Sequence, residues 1–272
     1  MIFIVIGCIA VIAAAIYIFL LAPGILPETD GIWKASYAHR GLHSKDKSVP
    51  ENSLAAFSLA ADKGYGIELD IQLTADEQVV VFHDDNLKRV CGVDKALCDC
   101  TYEELRQLRM HDTDERIPLF SDVLSLVGGR VPLIVELKNS RRNALLCAKS
   151  AALLDEYKGA YMIESFHPGI VRWFKKHRPY VVRGQLAAGR KDYASLPFYQ
   201  GAILTLLLAN FAARPHFVAF KHEHSHHKAR LSFFKALGGK LVAWTVRDTD
   251  DISYCLKRFD AIIFEFFEPK SM

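Results

Sequence analysis

The sequence predicts an α/β protein in which a (β/α)8 TIM barrel follows a single transmembrane helix. Three observations lead to this prediction. Strand-like apolar runs alternate with helical patterns, which favours parallel βαβ units. Polar residues cluster where several of these runs end, and a barrel builds its active site at the carboxyl ends of its strands. Residues 2–22 form an uncharged apolar run, about the 20 residues that a helix needs to cross a bilayer.

The composition is consistent with one catalytic or binding domain of this kind. The chain has 272 residues, 51% of them hydrophobic, and a formal net charge of +3. That length suits a single barrel. Lys and Arg are scattered, so no nucleic-acid partner is expected. A doubly wound open sheet is the alternative fold, but it would gather ligands at one switch point instead of at the ends of several strands. The sequence leaves the oligomeric state open.

The N-terminal segment predicts a membrane anchor over residues 1–22, a linker over 23–34 and the barrel domain over 35–272. A cleaved signal peptide is the alternative, but it would begin with a basic segment, and no Lys or Arg precedes the apolar run. Pro23 and Gly24 end the helix. We therefore expect a single-pass membrane protein. Few charges flank the span, so the side of the membrane is left open.

The barrel elements follow in order. A first strand is expected at 35–38, and the others are predicted at 67–73, 79–82, 131–138, 161–166, 181–186, 217–220, 241–246 and 261–264. The short run 79–82 is interpreted as an extension outside the eight-stranded barrel. Helices are predicted at 53–63, 101–108, 121–128, 142–157, 168–177, 229–237 and 249–258. Asn52 or Ser53 caps the first of them, Thr101 opens a capping box, and Ser121 caps the third.

A second apolar run, residues 201–213, is too short to span a bilayer. Runs of this length are usually buried helices, so we expect a buried helix here. In a protein anchored to a membrane, the run could instead face lipid.

Glu68 and Asp70 lie two residues apart in a strand-like run, so their carboxylates point to the same side. Burying two adjacent carboxylates is costly unless positive charge compensates them, and a divalent cation held by oxygen ligands does so. Glu136 and Lys138 repeat the same spacing on another strand. Two strands therefore direct charged groups toward one mouth.

Four motifs in this region resemble the signature of the glycerophosphodiester phosphodiesterase family. They are His39-Arg40, Pro50-Glu51-Asn52, Glu68-x-Asp70 and His83-Asp84, and they occur in the family's order. The resemblance covers about residues 35 to 265. It implies a barrel of the phospholipase C-like phosphodiesterase type and the hydrolysis of a glycerophosphodiester to glycerol 3-phosphate and an alcohol.

The resemblance also implies a role for each matching residue. By this resemblance, His39 and His83 are the general acid and base. The ligands of a divalent ion, Mg²⁺ or Ca²⁺, are Glu68, Asp70 and Glu136. Arg40 and Lys138 bind the phosphate, the glycerol lies near Trp244, and Glu51 and Asn52 support the site. Imidazole suits the first role because its ordinary pKa, near ~6.5, lets it exchange protons at neutral pH.

Simpler interpretations remain open for several of these residues. Asn52 could serve only as a helix N-cap, and Trp244 could be a core residue at a strand end. The tract 221–227, which reads KHEHSHH, is interpreted as a solvated loop, with an accessory metal site or a headgroup contact as the alternative.

Two departures from the family pattern concern the substrate. Arg247 stands where the family often has Asn, and Phe264-Glu265-Phe266 replaces a small residue followed by Thr-Asp. The runner-up function is a lysophospholipase D that acts on lysolipids at the membrane, which the anchor and the apolar run 201–213 make credible. An apolar groove from the barrel mouth toward the anchor would favour it. An inactive, membrane-tethered binding domain is the third alternative, although every expected site residue is present.

Overall fold

The computed structural model describes residues 1–29, 31–194, 196–225 and 229–269. Across these residues the strands are β1 (Ser36–Ala38), β2 (Gly66–Leu73), β3 (Val79–Val81), β4 (Leu133–Leu137), β5 (Tyr161–Ser165), β6 (Val182–Ala187), β7 (Phe217–Lys221), β8 (Lys240–Val246) and β9 (Ala261–Phe264). Strand β1 pairs in parallel with both β2 and β9, which closes the barrel. Strand β3 pairs antiparallel with β2 and lies outside the closed ring. The predicted barrel and its extension are confirmed, and the open-sheet alternative is wrong.

The helices of the same residues are α1 (Ile2–Leu21), α2 (Leu54–Asp62), α3 (Lys88–Cys91), α4 (Tyr102–Leu105), α5 (Phe120–Val127), α6 (Asn143–Glu156), α7 (Pro168–His177), α8 (Phe198–Thr205), α9 (Asn210–Ala213), α10 (Ala229–Ala236) and α11 (Ile252–Arg258). Ser53 caps α2 by accepting a hydrogen bond from the amide of Ala56. Thr101 forms the expected capping box. The prediction for Ser121 is wrong, because α5 begins one residue earlier, after Leu119.

Two apolar clusters hold the barrel together. One fills the space between the strands and the surrounding helices, as expected where parallel strands are covered on their outer face. The other fills the barrel interior and includes Met162, Phe217 and Ile263. Ile32 and Trp33 close the end of the barrel where the strands begin, with the rings of Trp33 and Phe217 5.8 Å apart. The charged residues lie at the opposite end of the barrel, where the strands finish.

Helix α1 is long and apolar enough to cross a membrane, and almost none of it is buried against the barrel. Its last turn is the exception, since Leu21 is fully buried. The chain then crosses the closed end of the barrel, where the amide of Gly24 donates to the carbonyl of Pro215 at 3.1 Å. Helix α1 is thus attached to the barrel by contacts as well as by the segment that follows it.

The prediction of one buried helix over 201–213 is wrong. The segment forms two short helices, α8 and α9, which are separated near Leu207, a residue with a φ of 60°. Leu207 itself is buried, but Ile203, Leu206 and Phe211 are between 38 and 47% exposed. The segment therefore leaves apolar surface uncovered, as the lipid-facing alternative requires.

Candidate active site

A cavity of about 290 Å³ opens at the carboxyl end of the barrel. Six of the ten residues predicted for the site line it, and the other four each bond to a residue that does. They come from five of the strands and the loops after them. Those that line it are His39, Arg40, Glu68, His83, Glu136 and Trp244, and Lys138 bonds to Glu136. The parallel strands all end at this edge, so residues far apart in sequence converge here.

The three predicted carboxylates, Glu68, Asp70 and Glu136, come together. Strands β2 and β4 pair in parallel with Asp70 directly opposite Glu136. Each carboxylate offers an oxygen, and these oxygens all lie within 4.8 Å of one another. All three side chains are buried. The cluster can therefore hold a metal ion with oxygen ligands, as hard divalent cations prefer.

The electrostatics of this cluster indicate an uncompensated negative charge. Burial, reinforced by Asp70 and Glu136, raises the pKa of Glu68 well above its ordinary value. Burial likewise raises the pKa of Glu136 to about 7. Burial opposes ionisation of Asp70 as well, but Lys138 and Arg40 outweigh it and hold the pKa of Asp70 below its ordinary range. A bound cation would favour the ionised form of all three groups.

The two predicted cations flank the carboxylates. The Nζ atom of Lys138 lies 3.0 Å from Glu136 and 3.4 Å from Asp70. The backbone amide of Arg40 donates to Glu68 at 3.0 Å, and its Nε atom lies 3.5 Å from Asp70. Arg40 adopts a φ of 53°, a left-handed conformation that is uncommon for residues other than glycine. This geometry brings both its amide and its guanidinium group to the cluster.

Both predicted histidines are held by a carboxylate through the same ring nitrogen. Nδ1 of His39 lies 3.0 Å from Oε1 of Glu265, and Nδ1 of His83 lies 2.7 Å from Oδ1 of Asp84. A carboxylate partner favours the tautomer with the proton on Nδ1. The Nε2 atom of each ring is then left free to accept a proton.

The pKa values of both histidines are lowered. For His39, burial lowers the pKa most and Arg40 adds to the effect, while the hydrogen bond to Glu265 raises it. For His83, burial is again the largest cause, opposed by Asp70 and supported by Lys138. A lowered pKa favours the neutral ring, which is the form that a base needs in order to take up a proton.

Glu265 is a residue of the site that the motifs did not identify. Besides His39, its Oε1 atom lies 3.3 Å from Nε2 of His43, and its Oε2 atom accepts from Arg247 at 2.7 and 2.9 Å. Burial opposes ionisation of Glu265, but the hydrogen bonds from His39 and His43 hold its pKa below the ordinary range. Glu265 and the two histidines also offer ligand atoms within 4.8 Å of one another. The signal was available, because Glu265 and Arg247 were the two departures from the family pattern and carry opposite charges.

Glu164 is the second such residue. It lines the cavity from β5, is buried, and its Oε2 atom has no hydrogen-bond partner among the described residues. Burial raises its pKa well above the ordinary value, and the nearby charge of Glu68 adds to the shift. It pairs in register with Glu136 across β4 and β5. Its place inside a strand, without a motif, gave no signal in the sequence.

Glu51 and Asn52 lie where the resemblance implied support for the site. Glu51 accepts from Arg40 at 2.5 Å and also from Arg89, which in turn donates to Asp84. Asn52 donates to Asp70 at 2.9 Å. The interpretation of Asn52 as a helix N-cap is wrong, because Ser53 takes that place. Asn52 adopts a φ of 56° instead, which turns its side chain toward the carboxylates.

Trp244 is partly exposed and lines the cavity, so it is not a core residue. Its ring packs edge-on against Phe166, with 5.6 Å between the ring centroids. Lys221 at the end of β7 and Glu223 in the loop after it line the cavity, and His224 lies 2.8 Å from Asp192. Part of the tract 221–227 thus reaches the barrel mouth, while His226 and His227 lie outside the described residues.

Comparisons with known proteins agree with this geometry. Residues 39–268 match the glycerophosphoryl diester phosphodiesterase family. A glycerophosphodiester phosphodiesterase of Bacillus altitudinis is 35% identical over 53% of this chain and 63% of its own length. A lysophospholipase D of Rattus norvegicus is 36% identical over 46% of this chain and 42% of its own length. The chain thus spans less than two-thirds of each of these relatives.

The fold is shared with solved structures. A phosphodiesterase of Oleispira antarctica, determined in complex with the product sn-glycerol-3-phosphate, superposes with a TM-score of 0.68. The match covers 85% of this chain and 92% of that one at 24% identity. Relatives with these names are phosphoric diester hydrolases, and the family that the four motifs predicted is confirmed. The chain belongs to the glycerophosphoryl diester phosphodiesterase family.

Proposed function

We propose that this protein hydrolyses glycerophosphodiesters to glycerol 3-phosphate and an alcohol, with a divalent cation as cofactor. The observation that carries the proposal is the convergence of two histidines, two cations and a triad of buried carboxylates on one cavity. Each of these groups serves a separate need of phosphodiester cleavage: proton transfer, binding of the phosphate and neutralisation of its charge.

The carboxylate triad fits a hard divalent ion. Its ligands would be Glu68, Asp70 and Glu136, which are oxygen donors close enough to share one ion. Oδ1 of Asp70 is buried and accepts no hydrogen bond from the described residues, and Nζ of Lys138 lies 3.4 Å from it as an ion pair, so this oxygen can take a further ligand. Mg²⁺ and Ca²⁺ both accept such ligands. When bound, the ion would neutralise phosphoryl oxygens and lower the pKa of a glycerol hydroxyl or a water.

The protein's own groups would carry the remaining steps. Arg40 and Lys138 would bind the phosphate, and Trp244 would pack against the glycerol. One of His39 and His83, in its neutral form, would take the proton from the attacking hydroxyl or water through Nε2, and the other, in its protonated form, would donate a proton to the leaving oxygen. Glu265 and Asp84 would hold the two rings in the required tautomer, while Glu51 and Asn52 would position Arg40 and Asp70.

A lysophospholipase D activity is the second candidate, and a groove in the structure favours it. An apolar groove of about 680 Å³ lies beside the catalytic cavity. Phe166 and Trp244 line both spaces, so the groove begins where the proposed glycerol site ends. It continues along α8, where Ile203 and Leu204 line it. An acyl chain of a lysolipid could occupy this groove while its phosphate reaches the cavity.

We also propose that α1 anchors the protein in a membrane as a single span, since its 20 residues carry no charge. The third alternative, an inactive binding domain, has less support. A site that no longer catalyses a reaction would be expected to lose some of its charged groups, whereas here they are all present and paired with one another.

The test uses the full chain in detergent, stripped of metal with a chelator. Release of glycerol 3-phosphate is measured from glycerophosphocholine, glycerophosphoethanolamine and glycerophosphoglycerol, with Mg²⁺ or Ca²⁺ added in turn. Cleavage of lysophosphatidylcholine is measured in parallel. We expect metal-dependent release that His39→Ala and His83→Ala each reduce at least 100-fold. His177→Ala, which changes an exposed histidine, serves as the matched control. Equal turnover by all four proteins would refute the assignment.

A further inference from the structure

We propose that the exposed apolar patch on α8 and α9 rests on the lipid bilayer that α1 enters. The apolar patch consists of Phe198, Tyr199, Ile203, Leu206 and Phe211, which are between 38 and 77% exposed. Large exposed apolar side chains that occur together mark an interaction surface. The inference rests on the proposed anchoring of α1, and it does not depend on which phosphodiester is cleaved.

The patch is continuous with the attachment point of the anchor. Nδ2 of Asn210, in α9, lies 3.4 Å from the carbonyl of Leu21 in the last turn of α1. Nη1 of Arg214 donates to the carbonyl groups of Phe19 and Ala22 at 2.7 and 3.0 Å. These contacts satisfy carbonyl groups that a helix end leaves without partners. The segment that carries the patch therefore also fixes the end of the membrane helix.

The side chains at the border of the patch suit a lipid interface. The guanidinium group of Arg190 lies over the ring of Phe198 at 5.2 Å, and that of Arg214 lies over the ring of Phe19 at 4.5 Å. Arginine side chains beside apolar groups are typical of residues that keep their charge at the headgroups while their stems contact hydrocarbon. A bilayer is the occupant we infer, because α1 already requires one at the adjoining surface.

With the apolar patch resting on the bilayer, membrane lipids are a source of ligand for the apolar groove. Ile203 belongs to the patch and also lines the apolar groove that reaches Trp244. With the patch on the bilayer, the groove would open at the lipid surface. A single-chain lipid could then move from the membrane into the groove without its acyl chain crossing water.

The first test uses the unmodified full chain in phosphatidylcholine vesicles that contain a phosphatidylcholine with a diazirine in its acyl chain. After illumination, labelled peptides are mapped by mass spectrometry. We expect label on α1 and on residues 198–211, and none on the peptides that contain Tyr180 or Leu256, which are 62 and 40% exposed.

Label on α1 but not on 198–211 would overturn the patch proposal while the anchor stands. Chain-to-chain products in chemical cross-linking would then assign the patch to a second copy. Absence of label from α1 as well would overturn both.

A second test uses Phe198→Ser with Tyr199→Ser, and Tyr180→Ser as the matched control. Neither variant touches a residue of the proposed catalytic site. We expect both to release glycerol 3-phosphate from a soluble glycerophosphodiester at the wild-type rate. The patch variant should lose most of its lipid label at 198–211 and cleave lysolipid in vesicles about tenfold more slowly. An unchanged label in the patch variant would contradict the proposal, whatever its activity.

Discussion

The two histidines of the site use the same local arrangement, although they lie on different loops. Each contacts a carboxylate through Nδ1: His39 contacts Glu265, and His83 contacts Asp84. The second of these partners is the next residue in the chain and belongs to the His-Asp motif. The first is separated from its histidine by 226 residues. The site therefore has one partner that a motif could reveal and one that only the closed barrel brings into place.

Glu265→Gln tests the longer of these contacts. The hydrogen bond to Glu265 raises the pKa of His39, against the larger effect of burial. Removing the negative charge should therefore lower that pKa further and move the corresponding limb of the pH–rate profile to lower pH. We also expect kcat/KM to fall roughly 10- to 100-fold, as is typical when the partner of a functional histidine is lost. The measurement is kcat/KM as a function of pH.

Glu268→Gln is the control for this variant, because Glu268 is exposed and its partners Lys63 and Tyr65 do not line the cavity. A Glu265→Gln enzyme with the wild-type rate and an unmoved limb would show that the contact is structural only. A lower rate with an unmoved limb would point to a disturbed pocket, so the pH profile separates the two effects.

Single residues were predictable to different degrees for a physical reason. His39, Arg40, Glu68, Asp70 and His83 stand in short motifs, because strand ends and adjoining loops place them together locally. Glu164 joins the site through strand pairing alone, and pairing leaves no local pattern. Arg247 and Glu265 were visible as departures from the family, and their opposite charges at the ends of neighbouring strands β8 and β9 were the available clue.

At the level of elements, the register of β2 and β4 creates the carboxylate triad. The pairing sets Asp70 opposite Glu136 and keeps Glu68 on the same face as Asp70. Repulsion among these buried groups destabilises the metal-free fold, and burial with neighbouring charge raises the pKa of Glu68 for that reason. A cation that binds only the folded state should stabilise it through mass action.

Metal binding should therefore appear as a rise in the unfolding temperature, without any assay of activity. At a metal concentration near 100 times Kd, the stabilisation is about 2.7 kcal/mol, or about 5 °C or more for a chain of this size. The measurement is thermal unfolding of the full chain in detergent after chelation, with and without Mg²⁺ or Ca²⁺. We expect Asp70→Asn to abolish the rise. The exposed Asp122→Asn should keep it, and a rise that survives in Asp70→Asn would place the ion elsewhere.

The segment 201–213 shows why an element can be misjudged from sequence. Its apolar run carries no charge and fits a buried helix, yet Leu207 adopts a left-handed conformation and divides it into α8 and α9. Whether an apolar helix is buried depends on what covers it, and here the described residues leave its outer side chains exposed. The choice between core and lipid surface is therefore made by tertiary structure, which a local pattern does not contain.

For the whole molecule, the alternation of strands and helices was sufficient to predict the barrel, because parallel strands with helical crossovers allow few closed arrangements. The closed end was less predictable. Residues expected to form a linker instead pack against the strands, with Ile32 buried and Trp33 against Phe217. These contacts join the segment before β1 to the barrel, so they bear on the stability of the whole chain.

His216 lies where these parts meet, and it makes the stability of the chain depend on pH. Its Nδ1 atom accepts from the amide of Arg183 at 3.2 Å, and it is 1% exposed. Burial, with the charge of Arg183, lowers the pKa of His216 to about 3. In the unfolded chain the pKa is about 6.5. Protons therefore bind the unfolded state first as the pH falls, and the stability that the neutral ring contributes above pH ~6.5 is lost on acidification.

The expected size of this effect follows from the same two values. Between pH 7 and pH 5, His216 alone should lower the free energy of unfolding by about 2 kcal/mol. Other histidines with lowered pKa, including His39 and His83, add to the total decline.

The test therefore compares the change in unfolding free energy between the two pH values among three proteins: the wild type, His216→Asn and the exposed control His177→Asn. Denaturant unfolding is followed by tryptophan fluorescence. The His216 variant should be less stable at pH 7 but should lose about 2 kcal/mol less on acidification than the other two. An equal decline in all three would mean that His216 takes up protons equally in the folded and the unfolded chain, and that this end of the barrel does not depend on a neutral histidine.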